Sequence, residues 1–90
     1  MKTIILLGKE ILSIDELHAQ LKEKLELPDY YGANLDALWD CLTGWVSLPL
    51  TIEWYDFSIT ERLLGDQAGQ VMTVFKDAAT EIDGFKIVIC

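Results

Sequence analysis

The stretch Pro49-Leu50-Thr51-Ile52-Glu53-Trp54 decides the fold, because it predicts a short strand, Leu50 to Trp54, with helical patterns on both sides. Upstream of it, Asn34 stands as a helix N-cap, and Leu35, Leu38, Trp39 and Leu42 form an apolar stripe that Gly44 is suited to close as the C-terminal cap. Downstream, Ser58 with Glu61 three residues later has the form of a capping box opening a short helix that Gly65 ends. From Gln67 to Ile82, the residues Ala68, Val71, Met72, Phe75, Ala78, Ala79 and Ile82 keep a 3.6-residue period, the longest helical pattern in the chain.

Further out lie two more strands. Thr3 to Leu7 is a β-branched and leucine run with the pattern of a strand buried on both faces in a parallel sheet, and Gly84 turns the chain into Phe85 to Ile89. Between the first strand and Asn34, Ser13 and Glu16 form a capping box for a helix whose Ile14, Leu17, His18, Leu21 and Leu25 share one face, with Pro28 as the stop. The order βααβααβ separates every strand from the next by helices, which calls for a parallel three-stranded sheet.

With 90 residues, 51% hydrophobic, the chain is predicted to form one domain over residues 1–90. A domain of that size buries only about 60 to 65% of the surface its unfolded chain exposes, so most of its apolar residues are committed to the core. Seven Lys and Arg against fifteen Asp and Glu give a net charge of −8, which argues against nucleic acid or an anionic membrane as partner and for a basic one. Between Lys24 and Arg62 there is no cationic residue, while Glu26, Asp29, Asp36, Asp40, Glu53, Asp56 and Glu61 fall in that interval. The N-terminal apolar run stops at Lys9 and Glu10 without a cleavage site, and no run approaches the roughly 20 residues of a membrane span. A cytoplasmic protein is expected, with Cys41 and Cys90 as free thiols.

Enzymatic chemistry finds little support. No glycine loop has phosphate-binding spacing, one histidine leaves no metal cluster, and no cofactor is expected. His18 sits on the apolar stripe of its helix, the place of a packed structural histidine rather than a base for Cys41. Trp39 and Trp54 are expected in the core, whereas Trp45, beside Gly44, is suited either to packing or to a partner.

The informative segment runs from Pro28 to Trp45. On the wheel defined by Leu35, Leu38, Trp39 and Leu42, Asp36 and Asp40 lie i, i+4 on an adjoining exposed face with Thr43. Like charges at that spacing oppose the helix, and nothing local stabilises Asp40 in its second half. Tyr30, Tyr31 and Gly32 place aromatic surface just before these carboxylates, a pairing common at protein interfaces, although at least one tyrosine is expected to seal the core edge. Asp77 and Glu81 form a second i, i+4 acidic pair pointing away from the Phe75 stripe. An acidic adaptor or nucleic-acid mimic for another basic protein, and a small hydrolase using Cys41, are the competing classes.

These residues, Pro28, Tyr30-Tyr31-Gly32, Asn34-Leu35-Asp36-Ala37-Leu38-Trp39-Asp40-Cys41-Leu42-Thr43-Gly44-Trp45, together with Leu17-His18, Pro49-Leu50, Glu53-Trp54 and Val74-Phe75, strongly resemble the barstar family of intracellular ribonuclease inhibitors. The resemblance implies a two-layer α/β fold with strand order 1-2-3 and a monomer that plugs the active site of a barnase-like ribonuclease at 1:1. It places Asp40 as the central anion with Asp36 beside it. Tyr30, Tyr31, Gly32, Asn34, Leu35, Ala37, Trp39, Thr43, Gly44 and Trp45 then fall in the contact surface, and Asp77 and Glu81 at its side. Asp77 and Ala33 stand where the best-known member has a glutamate and an acid, and Asp83 where it has a cysteine.

Overall fold

The computed structural model describes residues 2–90. Its elements in order are β1 (Lys2–Leu7), a 3-10 turn (Gly8–Glu10), α1 (Ile14–Lys24), α2 (Leu35–Gly44), β2 (Leu50–Tyr55), α3 (Phe57–Leu64), α4 (Asp66–Glu81) and β3 (Phe85–Ile89). The three strands form one parallel sheet in the order β1-β2-β3, with Ile4 opposite Ile52 and Ile52 opposite Ile87. The expected α/β architecture and strand order are therefore those of the folded chain.

The sheet is covered on one face only. Ile4 and Leu6 of β1, Leu50, Ile52 and Trp54 of β2 and Phe85 of β3 are buried. The alternate positions Thr3, Ile5, Lys86 and Val88 are exposed, Ile5 at 42% and Val88 at 41%. This corrects the expectation that Thr3 to Leu7 would be buried on both sides. A parallel sheet usually carries helices on both faces, but a 90-residue chain has helix enough for one layer, so the outward members of the apolar run meet water.

Three helices run side by side, antiparallel to the strands. At one end, a cleft is lined by Ile14 and Asp15 of α1, Asn34 and Leu35 at the start of α2, and Gln67 of α4. At the other end, Glu26 just beyond α1 pairs with Lys2 at the start of β1 (3.4 Å) and its carbonyl accepts from the Trp45 indole just beyond α2 (3.0 Å). There too, Gly84 beyond α4 lies against Leu48 and Pro49. Leu17 and Leu21 of α1, Leu38 and Leu42 of α2, and Val71 and Phe75 of α4 are all buried beneath this layer. Trp54, with no exposed surface, makes edge contacts with Phe57 (4.9 Å) and Phe75 (5.9 Å) at the centre.

Two caps form as their sequence predicts. The Ser13 hydroxyl accepts from the Glu16 N–H at 3.1 Å, and Asn34 Oδ1 accepts from the Ala37 N–H at 2.8 Å. Four helix boundaries differ. α1 stops before Pro28, in a Schellman turn with Glu26 in the left-handed region (φ 53°): the Leu27 N–H reaches the Lys22 carbonyl (2.9 Å) and the Glu26 N–H that of Glu23 (3.3 Å). Gly44 is the last helical residue of α2, and the cap is Trp45 in a right-handed conformation. α3 begins at Phe57, so Ser58 lies inside it and caps nothing. Its first turn is set instead by the Asp56 carbonyl, which accepts from Ile59 (3.0 Å) and Thr60 (3.3 Å), while buried Thr60 donates to the Gly8 carbonyl at 3.2 Å. α4 is shifted by one residue, spanning Asp66 to Glu81 rather than Gln67 to Ile82.

Candidate functional site

The candidate site is built on α2 and on the turn that leads into it. One side of α2 inserts Leu38, Cys41 and Leu42 into the core, which fixes the helix about its axis. Asp36, Asp40 and Thr43 are consequently exposed on the other side. The two carboxylates sit four residues apart, about 6 Å along the axis. Leu35 and Trp39 flank them, half-buried and packed against the core, and Ala37 is half-buried beside them. The Thr43 hydroxyl is turned back onto the helix, donating to the Trp39 carbonyl at 2.9 Å.

The preceding turn is held from both sides. Tyr31, half-buried, brings its hydroxyl to 2.6 Å from Nδ1 of His18 on α1. His18 is buried as a packed, hydrogen-bonded residue, and desolvation holds its pKa below the usual value despite the opposing pull of Asp15. Burial, with a smaller contribution from Cys41, pushes the Tyr31 phenol well above its ordinary range. Gly32 is exposed, its carbonyl accepting from Asn34 Nδ2 at 3.3 Å, and Ala33 occupies the left-handed region (φ 50°) immediately before the helix. Tyr31 is thus the tyrosine that packs on the core, while Tyr30 is 81% exposed.

Tyr30 does not stand alone. Its ring meets the edge of Trp45 at 6.4 Å with an interplanar angle of 81°, and the Trp45 indole is tied to the Glu26 carbonyl. Trp45 therefore both packs and shows, at 49% exposure. Gly44 beside it is exposed with no neighbour within 4 Å of where a side chain would start. The Tyr30–Trp45 contact brings together the two ends of the loop-and-helix segment, with the carboxylates between them in sequence. The supporting role of Glu26 carries no mark in the sequence, since a left-handed glutamate is not a residue that turn rules single out. Asp77 and Glu81 are exposed on α4, the helix that packs beside α2 in the same direction, so the second acidic pair lies on the neighbouring rod.

The electrostatics of the surface are one-sided. Among the described residues the single ion pair is Lys2–Glu26, so Asp36, Asp40, Asp77 and Glu81 have no cationic partner within 4 Å. Such carboxylates are free to accept charge-assisted hydrogen bonds from guanidinium or ammonium groups brought by a partner. The thiol of Cys41 is buried in the core, and burial, reinforced by the nearby Asp40 charge, pushes its pKa up, which keeps it protonated and a weak nucleophile. Among the described residues no three His, Cys, Asp or Glu side chains converge to hold a metal ion, and no helix is long and apolar enough to cross a membrane.

A relative from Bacillus subtilis (strain 168), named "Putative ribonuclease inhibitor YrdF", is 51% identical over 90 residues, covering 99% of each chain. The sequence model of one family, described as Barstar (barnase inhibitor), matches residues 1–90. With a family match over the whole chain and a full-length relative at that identity, this protein belongs to the barstar family.

Proposed function

We propose that this protein inhibits a barnase-type ribonuclease in the cytoplasm, one monomer to one enzyme, by filling the enzyme's cationic active site with Asp40 and Asp36. The observation that carries the reading is the pair of exposed carboxylates on α2, without a cationic partner within 4 Å among the described residues, in a segment whose two ends are joined by the Tyr30–Trp45 contact. An enzyme that cleaves RNA must hold phosphates with clustered basic groups. A carboxylate set where a phosphate oxygen would lie accepts the same hydrogen bonds and offers no bond to cleave.

The scaffold favours this use. Tyr31, Gly32, Asn34, Leu35, Ala37 and Trp39 are tied to α1, to the helix cap or to the core, so little ordering is left to be done on binding. Thr43, Gly44, Asp77 and Glu81 widen the surface. A net charge of −8 steers a basic enzyme toward the acidic face, and no nucleic acid or membrane is needed.

Titration of ribonuclease activity with the protein, at several salt concentrations, tests the proposal. Inhibition should be complete at one equivalent. The association rate should fall steeply as the Debye length shortens from about 30 Å at 0.01 M to about 10 Å at 0.1 M. Absence of inhibition, or an association rate indifferent to salt, overturns the reading.

A further inference from the structure

The short link between α4 and β3 carries a chemistry that does not depend on the inhibitory reading. Of the eight aspartates in the chain, Asp83 alone is followed by glycine, so only there does the next N–H lack a neighbouring side chain to crowd it. Ile82 to Phe85 form a β-turn closed by the Phe85 N–H on the Ile82 carbonyl (3.3 Å), with Asp83 and Gly84 both exposed. Gly84 has φ 91°, the left-handed region that this position of such a turn reserves for glycine. Among the described residues, neither the Asp83 carbonyl nor the Gly84 N–H makes a backbone hydrogen bond, and the Asp83 carboxylate has no cation within 4 Å. The peptide joining the two residues is therefore free to turn. The following peptide is held, because the Gly84 carbonyl accepts from the Leu50 N–H at 2.8 Å and Leu48 and Pro49 lie beside it.

We propose that Asp83–Gly84 is a site of spontaneous self-modification, at which the aspartyl peptide cyclises and reopens as isoaspartate. Once the free peptide has turned, the Gly84 nitrogen attacks Cγ of the protonated Asp83 carboxyl. The N–Cγ bond forms, and the N–H proton leaves with the carboxyl hydroxyl as water, closing a succinimide ring. Water then adds to either ring carbonyl. Addition at Cγ breaks the new bond and restores aspartate. Addition at the main-chain carbon breaks the original peptide bond, so that the chain runs through Cβ and Cγ and the α-carboxylate becomes the side group. One water leaves and one returns, with no oxidant and no change in net charge. In the helices this route is closed at Asp40 and Asp77, whose following N–H groups are committed to the ladder. The product has a methylene added to the backbone directly before β3. Phe85 is buried and paired with Leu50 at that point, so the longer link disturbs the register of β2 with β3.

The test ages the intact folded protein for weeks in warm, near-neutral buffer and probes it with an isoaspartate carboxyl methyltransferase and a labelled methyl donor. Methyl incorporation should grow with time, and peptide mapping should place it at Asp83 several-fold above all the other aspartates together. Asp83→Glu, whose larger ring closes far more slowly, should remove the signal from an exposed position where the substitution leaves the fold intact. Asp83→Asn reaches the same ring by losing ammonia and should yield isoaspartate several-fold sooner. The isoaspartyl fraction, equal in mass to the parent, should unfold at a lower urea midpoint. No methylation of the folded chain overturns the proposal; if the chain aged in urea is methylated all the same, the folded turn is what holds the peptide fixed. Methylation spread evenly over the other aspartates overturns it as well. An isoaspartyl fraction as stable as the parent overturns the link between this turn and the β2–β3 register.

Discussion

Replacing Asp40 should move stability and binding in opposite directions. Asp40 is the sixth of ten residues in α2, exposed, four residues after Asp36 and without a cationic partner within 4 Å among the described residues. Removing the like-charge pair returns about 0.2 to 0.5 kcal/mol, and alanine adds up to about 0.7 kcal/mol of helix propensity. The helix dipole contributes little, because its effect is confined to the terminal turns. Asp40→Asn should therefore stabilise the free protein by a few tenths of a kcal/mol and Asp40→Ala by about 0.5 to 1 kcal/mol, with the charge part shrinking in salt. In the complex the same change leaves buried basic groups of the enzyme without a counter-charge, a cost of about 3 to 5 kcal/mol. That corresponds to a roughly hundred- to several-thousand-fold weaker inhibition constant. Urea unfolding of the free variants and ribonuclease titration, run side by side, check both signs. Lower stability with unchanged inhibition would show that Asp40 serves the fold and that the binding surface lies elsewhere.

Three further outcomes are expected. The His18 pKa is lowered in the folded state, so below its ordinary value of 6.5 the unfolded chain takes up a proton that the fold resists; stability should be intact above pH 6.5 and decline as pH falls from there, before the carboxylates titrate. Urea midpoints from pH 7.5 to 5.5 should show this slope, and His18→Gln should flatten it whatever its absolute stability. Cys41→Ala should cost about 1 kcal/mol through lost packing, Cys90→Ala less than about 0.5 kcal/mol, and the double variant should inhibit within a few-fold of the parent, with its fold checked by circular dichroism. Ala33→Gly should relieve about 1 to 2 kcal/mol of left-handed strain against an unfolded-state penalty of about 0.4 to 1 kcal/mol, raising the melting temperature by a few degrees; a fall would contradict the conformation assigned to Ala33.

Periodicity and capping chemistry made the order of elements, the helix stripes and the Ser13 and Asn34 caps legible in the sequence, because each depends on residues a few positions apart. The exposed acidic face of α2 was legible for the same reason: Leu38 and Leu42 fix which side faces inward. What escaped depended on contacts distant in sequence. Nothing near β1 says how many helices will cover its sheet, so Ile5 passed for a core residue. The left-handed residues Glu26, Ala33 and Asp56 are not glycines, and their conformations are imposed by surroundings such as the Schellman bonds at Glu26. The division of labour between Tyr30 and Tyr31 likewise needed His18, thirteen residues upstream, to settle it.

The bare side of the sheet offers a practical handle. Thr3, Thr51 and Lys86 form one cross-strand row that points away from the helix layer, and Thr3 and Lys86 are exposed. A cysteine introduced at Lys86, with Cys90 replaced by serine, would leave one accessible thiol there, since Cys41 is buried. Coupled to a resin or a sensor chip through that thiol, the protein would stand with its acidic face toward the solution, every molecule in the same orientation. Such a surface would serve as an affinity matrix for drawing out any ribonuclease that binds it and for timing its release.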